Sequence, residues 1–328
     1  MTGGGADVSI VITTYYRNDL LEDAIESALK QTHESIEVIV VDGSGDGHAR
    51  TLVEQYPAVS YVPLAGRSDA HAARNVGVTH ADGLYIQFLD DDDLLHPEKI
   101  AKQLPMFSES VGVVYSGYRP HYRGSWPHEK GEVVLPEPGT HGSVLDEMLR
   151  IDKGFPDACY TCTMLIDRQV LDRIMPLRNC HAADDLGMKI ELALRTEFDY
   201  VDEPLVERRM DSDDSLGASL QNVEGRFRVI NQYAEVYDQY PPVLRRTVLE
   251  HTHWLQGSRE LEERVWSPKA PLSFLRAAYY SPNDRLKLGG LALFSLLGSP
   301  GVRLGRRGFR ELKRIRGHDP GEDPTSPL

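Results

Sequence analysis

Four consecutive aspartates, Asp90, Asp91, Asp92 and Asp93, end a short apolar run that begins at Tyr85-Ile86-Gln87-Phe88-Leu89. A run of that length with aromatic and β-branched residues reads as a buried strand. Carboxylates crowded at the end of such a strand repel one another, and a cation makes the arrangement affordable. A solvated acidic loop is the plain alternative. Position favours the first reading, because open α/β sheets bind ligands in the crevice beyond the carboxyl ends of their strands. Hard divalent cations such as Mg2+ or Mn2+ take oxygen ligands and bridge phosphates, so the run suggests a metal–diphosphate site. A second acidic pair, Asp184-Asp185, stands ahead of an amphipathic helical segment, Leu186–Arg195. It either caps that helix or supplies a general base, since one carboxylate beside another becomes more basic.

The elements that must carry these groups are readable in order. Val8–Ile12 is a compact apolar strand, followed by a polar loop from Thr13 to Asn18 and a helix from Asp19 to Gln31 with apolar residues on one face. Ile36–Val41 is a second buried strand and ends in Asp42-Gly43-Ser44-Gly45. The β–α–β outline implies a parallel sheet with a right-handed crossover. The glycines do not make a dinucleotide fingerprint and follow the second strand, so they read as a turn, while Asp42 could bond a base or ribose. His48–Gln55 is expected to be helical, and Ser60–Leu64 an edge strand because of Pro63. Ser68–His80 is Ala-rich and helical. Its Arg74 is either a surface charge or a phosphate donor. Further on the pattern gives a helix over 97–107, a strand over 112–118, an irregular excursion over 119–142, a helix over 143–150, a strand over 158–166, a helix over 168–174 and a final edge strand over 200–206. The residues after it, from Arg208 to Ser215, form a polar loop of mixed charge that could close over an anion. Beyond about residue 219 two long helical patterns meet at Pro241-Pro242.

Bulk properties narrow the function. A net charge of −14 argues against a nucleic-acid binder. The three cysteines, Cys159, Cys162 and Cys180, give no disulfide framework. With His181 they could form a zinc site, but the second ligand pair is missing, and semi-buried free thiols fit better. The Gly-rich start has no signal-peptide pattern and no run is long enough to span a bilayer, so a cytoplasmic protein is expected. An apolar stretch, Leu286–Leu297, precedes Arg303, Arg306, Arg307, Arg310, Lys313, Arg314 and Arg316, with Glu311 alone opposing. That asymmetry suits either peripheral membrane contact or a packed helix with a solvated basic face. The expected domains are a short N-terminal tail (1–7), a catalytic domain (8–215), a helical extension (216–317) and a C-terminal tail (318–328).

Taken together, the motifs Val8–Tyr15, Ala24–Thr32, Val40-Val41-Asp42-Gly43-Ser44, Ala73–Gly77, Phe88–Asp93 and Asp184-Asp185 resemble those of family-2 glycosyltransferases of the GT-A fold, over roughly residues 7–215. The resemblance implies an α/β, Rossmann-like, mostly parallel sheet flanked by helices. It also implies inverting sugar transfer from a nucleotide-sugar donor, a UDP- or GDP-sugar, to a glycan or lipid-linked acceptor. Carried over by position, Thr13, Tyr15 and Asp42 meet the nucleotide, Asp91 lies near the ribose or diphosphate, Asp90 and Asp92 are the two ends of the metal motif, and Asp185 is the base; Arg74, as the possible phosphate donor, joins the nucleotide-binding set. Asp93 is left as a cap for the next helix. Here the acidic pair is Asp-Asp where the family has Glu-Asp, and the strand-end motif at Asp42 is one residue short. The rivals are a sugar-nucleotide nucleotidyltransferase, for which Val8–Tyr15 lacks a phosphate loop, and a non-catalytic sugar-nucleotide-binding module.

Overall fold

In the computed structural model of the protein, residues 6–121, 132–152, 158–178, 183–210 and 219–304 are described. The chain divides into two compact units. The first is built on an eight-stranded sheet of order β3-β2-β1-β4-β7-β6-β8-β5. Its strands are β1 (Val8–Thr14), β2 (Ile36–Asp42), β3 (Val59–Pro63), β4 (Tyr85–Asp90), β5 (Leu94–Leu95), β6 (Val111–His121), β7 (Leu165–Asp167) and β8 (Glu197–Arg209). The helices between them are α1 (Asn18–Leu29), α2 (Arg50–Val53), α3 (Ala70–His80), α4 (Lys99–Gln103), α5 (Leu145–Leu149), α6 (Arg168–Asp172) and α7 (Asp184–Ala193). β3, β2, β1 and β4 run parallel, as do β6 and β8, and β7 joins the two groups antiparallel to both its neighbours.

The apolar runs became strands for the reason their composition gives. Val8, Ile10, Val11 and Ile12 are fully buried, as are Val38 to Val41, Ile86 and Phe88, so both sheet faces are covered. Gly77 lets α3 lie close on this surface: a Cβ there would meet the Val11 side chain at 2.3 Å. The Pro63 strand is the sheet edge expected of it.

Several elements differ from the sequence pattern. The helix expected over 97–107 starts at Lys99 and gives way to a 3-10 turn at Leu104–Met106, because Pro105 lacks the N–H an α-helix needs. The strand expected over 158–166 is confined to Leu165–Asp167. Ahead of it Thr163 Oγ1 donates to the Ala158 and Tyr160 carbonyls and accepts from the Tyr160 N–H, which satisfies the backbone in a turn. β8 is longer than expected and is not an edge, since β5 pairs on its far side. Arg208 and Arg209 therefore belong to a strand, and residues 211–218 lie outside the described part of the chain.

The core of this unit holds a polar network. Lys99, fully buried, donates to Gln87 Oε1 and to Gln103 Oε1 (2.6 Å). Gln87 reaches the Cys162 carbonyl and Gln103 the Val114 and Thr163 carbonyls, so the network ties β4, β6 and the 158–163 turn together. Burial pushes the Lys99 ammonium down to about 7. An unfolded lysine titrates at about 10.4, so between about pH 7 and 10.4 the unfolded chain holds more protons than the folded one. The contribution of Lys99 to stability is therefore expected to rise with pH across that window, by up to about 1.4 kcal/mol per unit, against the opposite trend of the raised Asp93 and Cys159. Denaturant midpoints of wild type and Lys99→Met at pH 7, 8 and 9 check it: the wild type should gain on the variant as pH rises, and parallel pH dependences would refute the assignment.

The second unit is helical: α8 (Leu220–Gln232), α9 (Ala234–Tyr237), α10 (Pro242–Glu263), α11 (Lys269–Tyr280) and α12 (Arg285–Ser295). Pro242 opens α10, as the Pro-Pro break predicts. Ala270, Phe274 and Ala277 of α11 pack with Leu288, Leu291 and Ala292 of α12 and with Leu261. Among the described residues no helix is long and apolar enough to cross a membrane.

Candidate active site

The parallel register brings the strand ends together. Thr13 pairs with Asp90 and Thr14 with Asp42, so β2, β1 and β4 finish at one level. The loop after β1 wraps over this edge. Tyr16 takes a left-handed conformation, φ 56°, which is uncommon away from glycine and typical of functional loops. Its hydroxyl donates to Asp46 (2.7 Å), while the Tyr15 ring stands 41% exposed with the Arg67 guanidinium 5.6 Å from its centre. That exposed ring, backed by a cation, is a ready platform for a base.

The four aspartates separate by environment. Asp90 accepts from Arg74 (2.7 Å) and, at 3.5 Å, from Thr13 Oγ1. Asp91 is buried and accepts from Thr14 Oγ1 (2.8 Å), the Tyr15 N–H (3.3 Å) and Arg17 (3.2 Å). Arg17 also donates to Asp92 (2.9 Å). Burial raises the Asp91 carboxyl to about 6 against the pull of Arg17, and burial with the Asp90 charge raises Asp92. Asp93 does not cap a helix. The residues after it form β5, and its buried carboxylate accepts the Arg209 N–H (3.0 Å). Burial and the neighbouring Asp92 push it up to about 8. The cluster thus carries more negative charge than its surroundings comfortably hold.

Asp42 is placed differently from the expectation. It is fully buried, and its oxygens accept the Ser44 N–H (2.9 Å), the Ala49 N–H (2.9 Å) and the Tyr61 hydroxyl (2.7 Å). The contact with a base expected of this side chain has no counterpart in that geometry. What Asp42 does is hold the 42–49 loop, in which Gly45 and Gly47 take positive φ (81° and 76°), the turn their spacing suggested. The same tight turn shortens the helix expected over 48–55 to α2. Burial alone would raise the Asp42 carboxyl, but the bonds from Ala49, Ser44 and Tyr61 outweigh it and lower it. Its contribution is therefore complete above about pH 4 and lost as pH falls through its lowered value. Asp42→Ala strands two backbone N–H groups and a hydroxyl, and is expected to cost about 3 kcal/mol or more. A urea midpoint within experimental error of the wild type would contradict this.

Asp185 lies on the first turn of α7 with its side chain 34% exposed, and it accepts from the buried Lys189 (3.2 Å). The Tyr160 ring connects it to β8. The Lys189 ammonium is 5.4 Å from the centre of that ring and the Arg208 guanidinium 3.9 Å from it. Burial would weaken the Arg208 cation, but the charge of Asp93 holds it firmly protonated. Arg208, Tyr160, Lys189 and Asp185 thus form a chain of contacts running from β8 to α7, with the Asp93 charge acting on Arg208. Cys159 and Cys162 are buried thiols beside this chain, with burial pushing Cys159 up to about 12. Cys180 and His181, the rest of the zinc candidate, lie outside the described residues.

Sequence reasoning missed Arg17, Thr14 and Tyr160, and set Arg208 in an anion-covering loop where the structure has it on β8 against the Tyr160 ring. Arg17 sits directly after the tyrosines, in a loop already assigned to the site, and its charge was the available signal. Nothing local distinguishes Tyr160.

Comparison with known proteins decides the family. The sequence pattern of glycosyl transferase family 2 matches residues 9–174, just over half of the chain. The chain belongs to that family. TuaG of Bacillus subtilis (strain 168), named for a glycosyltransferase role in teichuronic acid biosynthesis, is 29% identical over 216 residues, 64% of this chain and 81% of TuaG. WfaP of Escherichia coli, a UDP-Glc:alpha-D-GlcNAc-diphosphoundecaprenol beta-1,3-glucosyltransferase, is 34% identical over 114 residues, 34% of this chain and 45% of WfaP. The chain also matches rickettsial glycosyltransferases, two of them across 33% of their length. The Staphylococcus aureus TarS 1–349 structure with UDP-GlcNAc superimposes with a TM-score of 0.66 at 14% identity, over 93% of this chain and 92% of that one, a likeness of fold. This family-2 glycosyltransferase therefore has the mixed α/β, mostly parallel GT-A sheet that its motifs implied.

Proposed function

We propose that the enzyme is an inverting transferase whose donor site is the edge formed by β1, β2 and β4. The observation that carries this is the common level of the strand ends, where Thr13 pairs with Asp90 and Thr14 with Asp42; Asp185 reaches Arg208 through Lys189 and Tyr160, and the Asp93 charge acts on Arg208. Tyr15 stacks on the base, Thr13 lines it, and Asp42 acts by shaping the loop beneath it. Arg74 and Arg17 are the cations available to a diphosphate. Asp91 sets Thr14 and the Tyr15 backbone in place near the ribose or diphosphate.

Asp90 and Asp92 would hold a divalent cation, Mn2+ or Mg2+. Their hard oxygens suit it, and the raised carboxyls of Asp91 and Asp92 mark charge that it would offset. Among the described residues they do not form a preassembled cage of three ligands, because Arg17 and Arg74 occupy their oxygens. When bound, the cation neutralises charge on the departing nucleoside diphosphate. Asp185 takes the proton of the acceptor hydroxyl. The oxygen then bonds to the anomeric carbon from the face opposite the diphosphate, and the carbon–diphosphate oxygen bond breaks.

The acceptor is a glycan or a lipid-linked sugar, and WfaP supports the second. The basic run from Arg303 to Arg316, of which Arg303 is described, supports peripheral contact with the cytoplasmic face of a membrane. Purified protein, Mn2+ and a panel of UDP- and GDP-sugars test the activity. Release of nucleoside diphosphate, lost in Asp185→Asn and Asp92→Ala, is the expected result. Pyrophosphate release from sugar phosphate and a nucleoside triphosphate would refute it, as would binding without turnover across a broad acceptor panel.

A further inference from the structure

The last two helices of the second unit turn leucines outward as well as inward. On α11 Leu272, Leu275 and Tyr279 follow helical spacing on the side opposite Phe274 and Ala277, and all three are exposed, Tyr279 by 73%. On α12 Leu286 (92% exposed) and Leu293 lie two turns apart, with Leu297 one turn further along the chain. Trp266 borders this stretch. It is 54% exposed, and its indole N–H donates to the Leu296 carbonyl (3.1 Å), so its one polar atom is satisfied while its ring faces out. Single exposed leucines are ordinary, but a run of them on adjacent helices beside an outward Trp and Tyr marks a binding surface. These aromatic side chains favour the boundary between water and lipid.

The charges indicate what covers it. Residues 269–304 carry Lys269, Arg276, Arg285, Lys287 and Arg303 against Asp284 alone, in a chain of net charge −14. The four arginine and lysine side chains of the set that follow Lys269 are exposed. An apolar face fringed by cations, on helices too short to span, matches an anionic bilayer surface, whereas two copies paired through this same face would set its cations against one another. We infer that the outer face of α11 and α12, with Trp266 and Leu297, docks into the headgroup region of anionic membranes. The surface deepens the membrane contact proposed above, and rests on it, by assigning the apolar anchor to these helices instead of to the basic run alone.

Flotation of the full-length protein with phosphatidylglycerol–phosphatidylcholine vesicles, and with pure phosphatidylcholine, tests it. The wild type is expected to float with the anionic vesicles and to show a blue shift in emission that Trp266→Phe removes. Leu286→Glu/Leu293→Glu/Leu297→Glu is expected to weaken binding at least about tenfold, each substitution replacing buried methylenes with a charge. Its circular dichroism and nucleotide-sugar hydrolysis should match the wild type. Undiminished flotation of that triple variant, with loss in Arg306→Gln/Arg307→Gln/Arg310→Gln, would overturn the apolar anchor and leave the basic-run contact standing. Absence of wild-type flotation would overturn both. If the triple variant turns a lipid-free dimer into a monomer, the face is a protein interface and the inference is wrong. None of these outcomes bears on the transfer chemistry, which the hydrolysis assay reads separately.

Discussion

Asp185→Asn is expected to lower turnover about 10²–10⁴-fold with little change in donor KM, the range over which a positioned general base contributes. The substitution keeps the shape of the side chain and removes its ability to take a proton. It also takes a charge from Lys189, which is fully buried and 3.2 Å away. Removing one member of a buried pair is costly, though the 34% exposure of Asp185 moderates that here. Loss of activity could then arise from an unsettled α7 instead of lost base chemistry. Lys189→Met separates the two effects. In Asp185→Asn/Lys189→Met the ammonium that faced the lost carboxylate is gone and the melting temperature should recover towards the wild type. If Asp185 is the base, turnover stays low. Recovery of turnover together with stability would reduce Asp185 to a partner of Lys189.

The parts of this fold that could be read from sequence are those fixed by short-range pattern. β1, β2 and β4 are apolar runs ended by polar clusters, and burial on both faces leaves such runs little alternative. Their in-register ends follow from the β–α–β connection, so the approximate site could be placed before any contact was known. What was hidden depends on residues far apart in the chain. Arg17 reaches Asp91 and Asp92 from the β1 loop, over 74 residues of separation. Tyr160 links α7 to β8 only because a threonine turn replaces the strand that its Val-like neighbours suggested. Asp93 reads as a cap because Pro97 looks like a helix start, whereas β5 intervenes and draws Asp93 under the end of β8. Asp42 shows a subtler limit. A carboxylate at a strand end can face a ligand or its own loop, and the choice here rests on Tyr61, two strand positions before the Pro63 that marks the sheet edge. Lys99 inside a core is legible only after Gln87 is seen as the polar interruption in β4.

The same crowding of charge gives Asp92→Ala an expected effect of opposite sign with and without metal. Raised carboxyls cost stability when ionised: a group whose folded value lies above its unfolded one stabilises at low pH and loses that stability as pH rises. Asp91, at about 6, and Asp92, also raised, are therefore unfavourable at pH 7.5 in the metal-free protein. Removing Asp92 relieves Asp90 and Asp91 while Arg17 keeps its 3.2 Å contact with Asp91. The metal-free variant is expected to melt at or above the wild-type temperature. Mn2+ reverses the order. At one hundred times its dissociation constant a ligand stabilises the wild type by about 2.7 kcal/mol, and each kcal/mol moves the melting point of a domain this size by about 2–4 °C. Without Asp92 that shift should largely vanish, and nucleoside diphosphate release should fall at least about 10²-fold. Melting curves in EDTA and in Mn2+ decide this without reference to activity. An equal Mn2+ shift in wild type and variant would remove Asp92 from the ligand set. A metal-free variant melting well below the wild type would mean that the Arg17–Asp92 pair, at 2.9 Å, holds the β1 loop in place more than the carboxylates repel one another.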